Sequence, residues 1–234
     1  MATTYAHIMR PVSGLADPGD ALASAAFSRV AADLRSQCDQ LRVIRPELTF
    51  EDVPAPKTLA PYATAIAVAV RVDDSEIGSG RLVLLYDPAG QRGWAGPLRV
   101  IVYIRAELDP EIAADPLIGQ VGWSWLTEAL DSRTAGYAEP SGTVTRVVTE
   151  GFGAKHGEPP ATGFEMRASW SPAGADPGAE PEPDPTAGLA GLAESGDLGG
   201  HLTAWCDALC AASGLPPLAA GVTALRPASS RRRG

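Results

Sequence analysis

The sequence predicts an α+β fold, a two-layer sandwich in which helices pack on one face of an antiparallel sheet. Three observations carry this reading. Several short stretches alternate apolar residues with a period of two, three longer ones repeat them at helical spacing, and the strand-like stretches are joined by connections too short for parallel crossovers. The predicted order is helix, three or four strands, helix, two strands, helix.

Residues 1–16 carry no periodicity and are expected to be a mobile tail. Asp17-Pro18-Gly19-Asp20 then supplies cap and turn chemistry, so the first helix is expected to begin near Asp20. Leu22, Phe27, Val30, Leu34, Cys38 and Leu41 fall on one stripe of it, while Arg29, Asp33, Arg35 and Asp39 face away. Glu47 to Val53 reads as a short edge strand, stopped by Pro54-Ala55-Pro56 because proline cannot donate to a ladder. In the following strand Tyr62, Ile66, Val68, Val70 and Val72 alternate with Ala63, Ala65, Ala67 and Ala69, giving one large-residue face and one alanine face. Arg81 to Tyr86 and Leu98 to Arg105 continue an antiparallel meander, separated by the turn formers of 73–80 and 87–93.

Asp109-Pro110-Glu111 and Asp115-Pro116 each join a cap to a proline at the first helical position. A helix is expected from about Pro116 to Leu130, with Ile118, Val121, Trp125, Leu126 and Ala129 on its inner face. Thr143 to Glu150 and Phe164 to Trp170 form a second hairpin across the Gly- and Pro-rich loop 151–163. From Ser171 to Pro185 the chain almost lacks large apolar side chains and cannot repay the entropy of ordering, which predicts a flexible insertion at about 171–196. The last helix, Leu198 to Ala212, places Leu198, Leu202, Trp205, Cys206 and Leu209 on one side, and Gly214 with Pro216-Pro217 ends it. The expected domain is 17–225, followed by a second mobile tail at 226–234.

With 45% hydrophobic and 20% charged residues, the 234-residue chain can bury a full core. Its net charge of -9 argues against a dedicated nucleic-acid surface, and Arg231-Arg232-Arg233 at the end would add only nonspecific, salt-sensitive affinity. Three cysteines, Cys38, Cys206 and Cys210, make no disulfide framework. No basic region leads into an apolar run at the start, and no stretch is long enough to span a bilayer. A cytoplasmic protein with no membrane contact is the expectation.

No motif assigns a catalytic residue, and no cofactor is expected. The loop Gly151 to Glu158 could turn backbone amides toward an anion, and Lys155, His156 and Glu158, together with Arg167, are its candidate ligand-binding groups. It lacks the Gly-Lys-Ser/Thr ending of a phosphate loop. His201 and Cys206 stand five residues apart, about 140° around a helix, so with Cys210 they do not converge on a metal and no metal site is expected. Glu107, Asp109, Glu111 and Asp115 cluster before the central helix, where acids serve as caps and favour its positive end. Trp123 projects away from the predicted inner stripe, and Trp94 lies in a turn. Both are candidate anchors for a protein partner or for a second subunit in a homodimer. The leading expectation is a noncatalytic protein-interaction or adaptor module. The alternative is a small-molecule or anion-binding protein or enzyme with its site near the 151–163 loop.

Two resemblances add to this reading. The order of elements over roughly residues 20–213 is similar to that of secretion-chaperone-like folds, in topology alone. The strings Gly122-Trp123-Ser124-Trp125-Leu126-Thr127-Glu128-Ala129-Leu130, Arg146-Val147-Val148-Thr149-Glu150-Gly151-Phe152-Gly153 and His201-Leu202-Thr203-Ala204-Trp205-Cys206 resemble the actinobacterial family known as domain of unknown function 3000. That resemblance implies no activity and no catalytic residue. It implies a genomic neighbour, a ribonuclease D-like exonuclease, as a partner, and an association with RNA-processing machinery. The high Ala, Gly, Pro and Arg usage suits such an origin.

Overall fold

The computed structural model describes residues 18–134, 136–157, 160–172, 189 and 197–217. Its elements are α1 (Pro18–Ile44), β1 (Leu48–Asp52), β2 (Tyr62–Val72), β3 (Ser75–Tyr86), β4 (Leu98–Glu107), α2 (Pro110–Ala114), α3 (Ile118–Arg133), β5 (Tyr137–Thr149), a single 3-10 turn (Gly153–Lys155), β6 (Ala161–Pro172) and α4 (Asp197–Ala212). The six strands form one antiparallel sheet in the order β1-β2-β3-β4-β6-β5. This is the α+β architecture that the sequence predicts.

Register explains which residues meet the helices. Ile66, Leu82, Val102 and Ala168 lie in one row across β2, β3, β4 and β6, and all four are buried beneath the helical layer. One residue along each strand, Ala67, Arg81, Tyr103 and Arg167 form a parallel row on the opposite face. A smaller cluster forms on that second face, where Val53, Ala55, Ala60 and Trp94 pack over Ala65, Val83 and Leu85.

α4 occupies the middle of the helical layer, in contact with both α1 and α3. It is buried nearly all round, and its alanines and cysteines let its neighbours approach: Ala204, Ala208, Cys206 and Cys210 are as inaccessible as Leu202 and Leu209. Two positions on the sheet are hollowed to receive it. A side chain at Gly80 would come within 2.8 Å of the Trp205 ring, and one at Gly78 within 2.1 Å of the Ser213 hydroxyl. Gly214, at φ 75, closes the helix, with Leu215 N–H returning to Cys210 O and Gly214 N–H to Ala211 O.

Several expectations are corrected. The turn formers of 73–80 do not make one loop. Asp73 and Asp74 alone turn, both at positive φ (48 and 66), and β3 begins at Ser75, because the glycines serve packing there rather than turning. Leu22 is 66% exposed, so the stripe of α1 starts at Ala23 instead. The helix expected over 116–130 is α3, and the short α2 precedes it as a separate element; Asp109 caps α2 by accepting from Glu111 N–H, and Asp115 accepts from Leu117 N–H in the turn that leads into α3, both at 2.8 Å. The inner face of α3 is Ile118, Gly122, Leu126 and Leu130, with Val121 exposed. The expected insertion at 171–196 begins too early, since Ser171 and Pro172 belong to β6, and Leu189 within it is fully buried in the core. Most of that segment, and both expected tails, 1–16 and 226–234, lie outside the described residues.

Candidate interaction surface

An open sheet has two edges, and each presents unpaired backbone donors and acceptors to solvent. β1 guards its own edge. It is five residues long, ends in Glu51 and Asp52, and runs into Pro54 and Pro56. Both oxygens of Asp52 further accept from the one Arg35 Nε–H, at 2.8 and 2.9 Å.

β5 is different. It spans thirteen residues, pairs among the described residues only with β6, and is exposed along most of its length. Its protection is confined to its beginning, where a register shift after Ala138, a left-handed Glu139 (φ 51) and Pro140 interrupt the ladder. From Ser141 to Thr149 the sequence Ser-Gly-Thr-Val-Thr-Arg-Val-Val-Thr is rich in β-branched residues and carries one charge. That charge does not guard the edge, because Arg146 turns back to donate to Asp115 O at 3.3 Å. The far end of the strand leads to two large exposed apolar side chains, Val148 at 62% and Phe152 at 77%.

Trp123 supports β5 from beneath. It is half-buried, and a side chain at Gly142 would meet its ring at 2.6 Å, so this part of the edge strand rests on an indole. Trp94 is also half-buried and belongs to the small cluster on the other face of the sheet. The two tryptophans therefore occupy opposite faces. Helix projection placed Trp123 outside the inner stripe of α3, and only the register of β5 reveals that a glycine lies above it.

Lys155 and His156 are exposed in and after the 3-10 turn, which is closed by Lys155 N–H to Phe152 O and His156 N–H to Gly153 O. Glu158 lies outside the described residues. Arg167 is not brought to this loop. It stands six residues into β6 from Ala161, about 20 Å along the strand, where its guanidinium lies 5.3 Å over the Tyr103 ring and 3.4 Å from Glu165. Burial, and then the Glu165 carboxylate, push the Tyr103 hydroxyl pKa up.

The remaining candidates are structural. His201 is fully buried, and its Nδ1 accepts from Trp170 Nε1 at 3.1 Å, an arrangement that joins α4 to β6. Cys38, Cys206 and Cys210 are free and buried, and desolvation raises all three thiols, Cys38 and Cys210 to about 12, which leaves them protonated and unreactive. Among the described residues no three His, Cys, Asp or Glu side chains are grouped to hold a metal, and no helix is long and apolar enough to cross a membrane.

A protein-family model described as protein of unknown function (DUF3000) matches residues 23–223, so the chain belongs to that family. No curated protein and no solved structure matches it.

Proposed function

We propose that this member of the family is a noncatalytic protein-interaction module that accepts an extended segment of a partner protein along β5. The observation that carries the reading is the contrast between the two sheet edges. One is short, acidic and followed by prolines, whereas the other offers nine successive residues, Ser141 to Thr149, with no such protection. Strand addition would satisfy the outward-facing amides and carbonyls of this stretch, each bond contributing about 1 kcal/mol net. Val148 and Phe152 would give the added strand apolar contacts at one end. The ribonuclease D-like exonuclease expected from the family resemblance is the first partner to try, which would put the module beside RNA-processing machinery.

The test is native affinity purification of the tagged protein from its own cells, with and without nuclease, alongside a Thr145→Lys, Val148→Lys variant. Both positions are exposed, so the variant should fold with stability within about 0.5 kcal/mol of the parent. A stoichiometric partner that survives nuclease and is lost from the variant is the expected result. Equal recovery by parent and variant would remove β5 from the reading. A β5-dependent dimer with no other protein bound would assign the edge to a second copy of the chain instead.

A further inference from the structure

Among the described residues two arginines are buried, Arg45 at 4% exposure and Arg99 at 7%. Burying a cation is costly unless it is paired. Arg45 obeys this rule: it lies 3.0 Å from Glu47 and 3.9 Å from Asp207, and donates to Pro216 O at 3.1 Å. Arg99 does not, for no carboxylate of the described residues forms an ion pair with it.

Serines surround it instead. Arg99 Nη2 donates to Ser169 Oγ at 2.8 Å, to Ser141 Oγ at 3.3 Å and to Ser169 O at 3.4 Å, and Nη1 reaches Ser171 Oγ at 3.5 Å. Ser171 Oγ also accepts from Ala95 N–H at 3.1 Å, and Ser141 Oγ and Ser169 Oγ are 3.3 Å apart. The hydroxyl oxygens are thus occupied as acceptors, and with one proton spent between Ser141 and Ser169, two hydroxyl protons are left to be donated elsewhere. A guanidinium and three hydroxyls converge with more donors than acceptors. The cluster lies on the sheet face opposite the helices, and exposed Ser141 opens it to solvent beside the start of the free β5 edge.

We infer that Arg99, Ser141, Ser169 and Ser171 form a binding site for a phosphate-type oxyanion. A tetrahedral anion has enough acceptor oxygens for the guanidinium fork and the serine hydroxyls together, and it supplies the paired negative charge that no carboxylate among the described residues gives Arg99. Desolvation lowers the Arg99 pKa and the field of Glu139 partly restores it, so Glu139 acts as a distant counter-charge that an incoming anion must overcome. Glu139 stands at the irregularity of β5, two residues before Ser141, with φ 51. This site is separate from the Lys155–His156 loop and does not depend on strand addition at β5.

The experiment is a thermal-shift titration of the full chain with inorganic phosphate at millimolar concentrations, against sodium chloride at matched ionic strength, with 31P line broadening as a second readout. A saturable rise in Tm specific to phosphate is expected. Ser169→Ala and Arg99→Gln should abolish it, Ser141→Ala should weaken it several-fold, and Glu139→Gln should lower the half-saturating concentration several-fold. If Arg99→Gln fails to fold, the exposed positions 141 and 139 decide the matter, since neither supports the core. Identical responses to phosphate and chloride, or a phosphate response unchanged in the Ser141→Ala and Glu139→Gln variants, would overturn the assignment.

Discussion

At the scale of single residues, the positions that matter most to packing are ones that hydrophobic periodicity does not mark. Gly122 lies on the inner face of α3, where an added Cβ would stand 2.4 and 2.6 Å from atoms of the buried Phe164 ring. Gly119, three residues earlier in the same helix, has nothing within 4 Å of such a Cβ. The same substitution should therefore have opposite signs. Gly122→Ala should destabilise by about 1–3 kcal/mol through overpacking, whereas Gly119→Ala should stabilise by about 0.5–1 kcal/mol by reducing unfolded-state entropy. Thermal or urea denaturation of the two variants checks the contrast, and no loss at Gly122 would mean that the approach of α3 to β6 is not as described.

At the scale of elements, the sequence was legible wherever apolar periodicity and punctuation agreed. The alternation of Ile66, Val68 and Val70 with alanines located β2, and Asp109 before proline marked the cap of α2, whereas Asp115 ends α2 and holds the turn into α3. It misled where one residue type serves two purposes. Gly78 and Gly80 resemble turn residues, yet they lie within β3 because Ser213 and Trp205 press against them. The open edge was hidden for a related reason. An edge strand and an interior strand share the same alternation, so the exposure of β5 follows from the strand order β4-β6-β5, which local pattern does not encode. The true turn between β2 and β3 is Asp73-Asp74, and both residues carry a β-carbon in the left-handed region. Asp74→Gly should relieve that strain and raise stability by about 1 kcal/mol, measurable as an increased urea midpoint with unchanged slope. A fall in the midpoint would show that Asp74 contributes more than its conformation.

At the scale of the whole molecule, the buried thiols tie stability to alkaline pH. In the unfolded chain a thiol ionises near its ordinary value of 9, while in the folded protein Cys38 and Cys210 hold their protons to about 12 and Cys206 holds its proton well above the ordinary value. Between these limits the unfolded state binds fewer protons, so stability is complete below pH 9 and falls as pH rises toward 12. Each thiol contributes a slope of about 1.4 kcal/mol per pH unit. Tyr62, Tyr103 and Tyr137, raised first by burial, act in the same direction at higher pH. Equilibrium unfolding across this range should show the decline, and a Cys38→Ala, Cys210→Ala variant should show a shallower one. A slope identical in parent and variant would mean that those thiols ionise as readily in the fold as outside it.

The strand order also bears on synthesis. β1 to β4 can pair in the order in which they are made, but β5 is produced before β6 and reaches the sheet only through it. A nascent chain that has not yet released residues 161–172 from the ribosome therefore exposes a second unsatisfied edge, that of β4, in addition to β5. α4, whose Trp205 and Leu209 cover the centre of the sheet, arrives later still. The fold is completed from its C-terminal third, and a stalled or truncated chain is the form in which aggregation is to be expected.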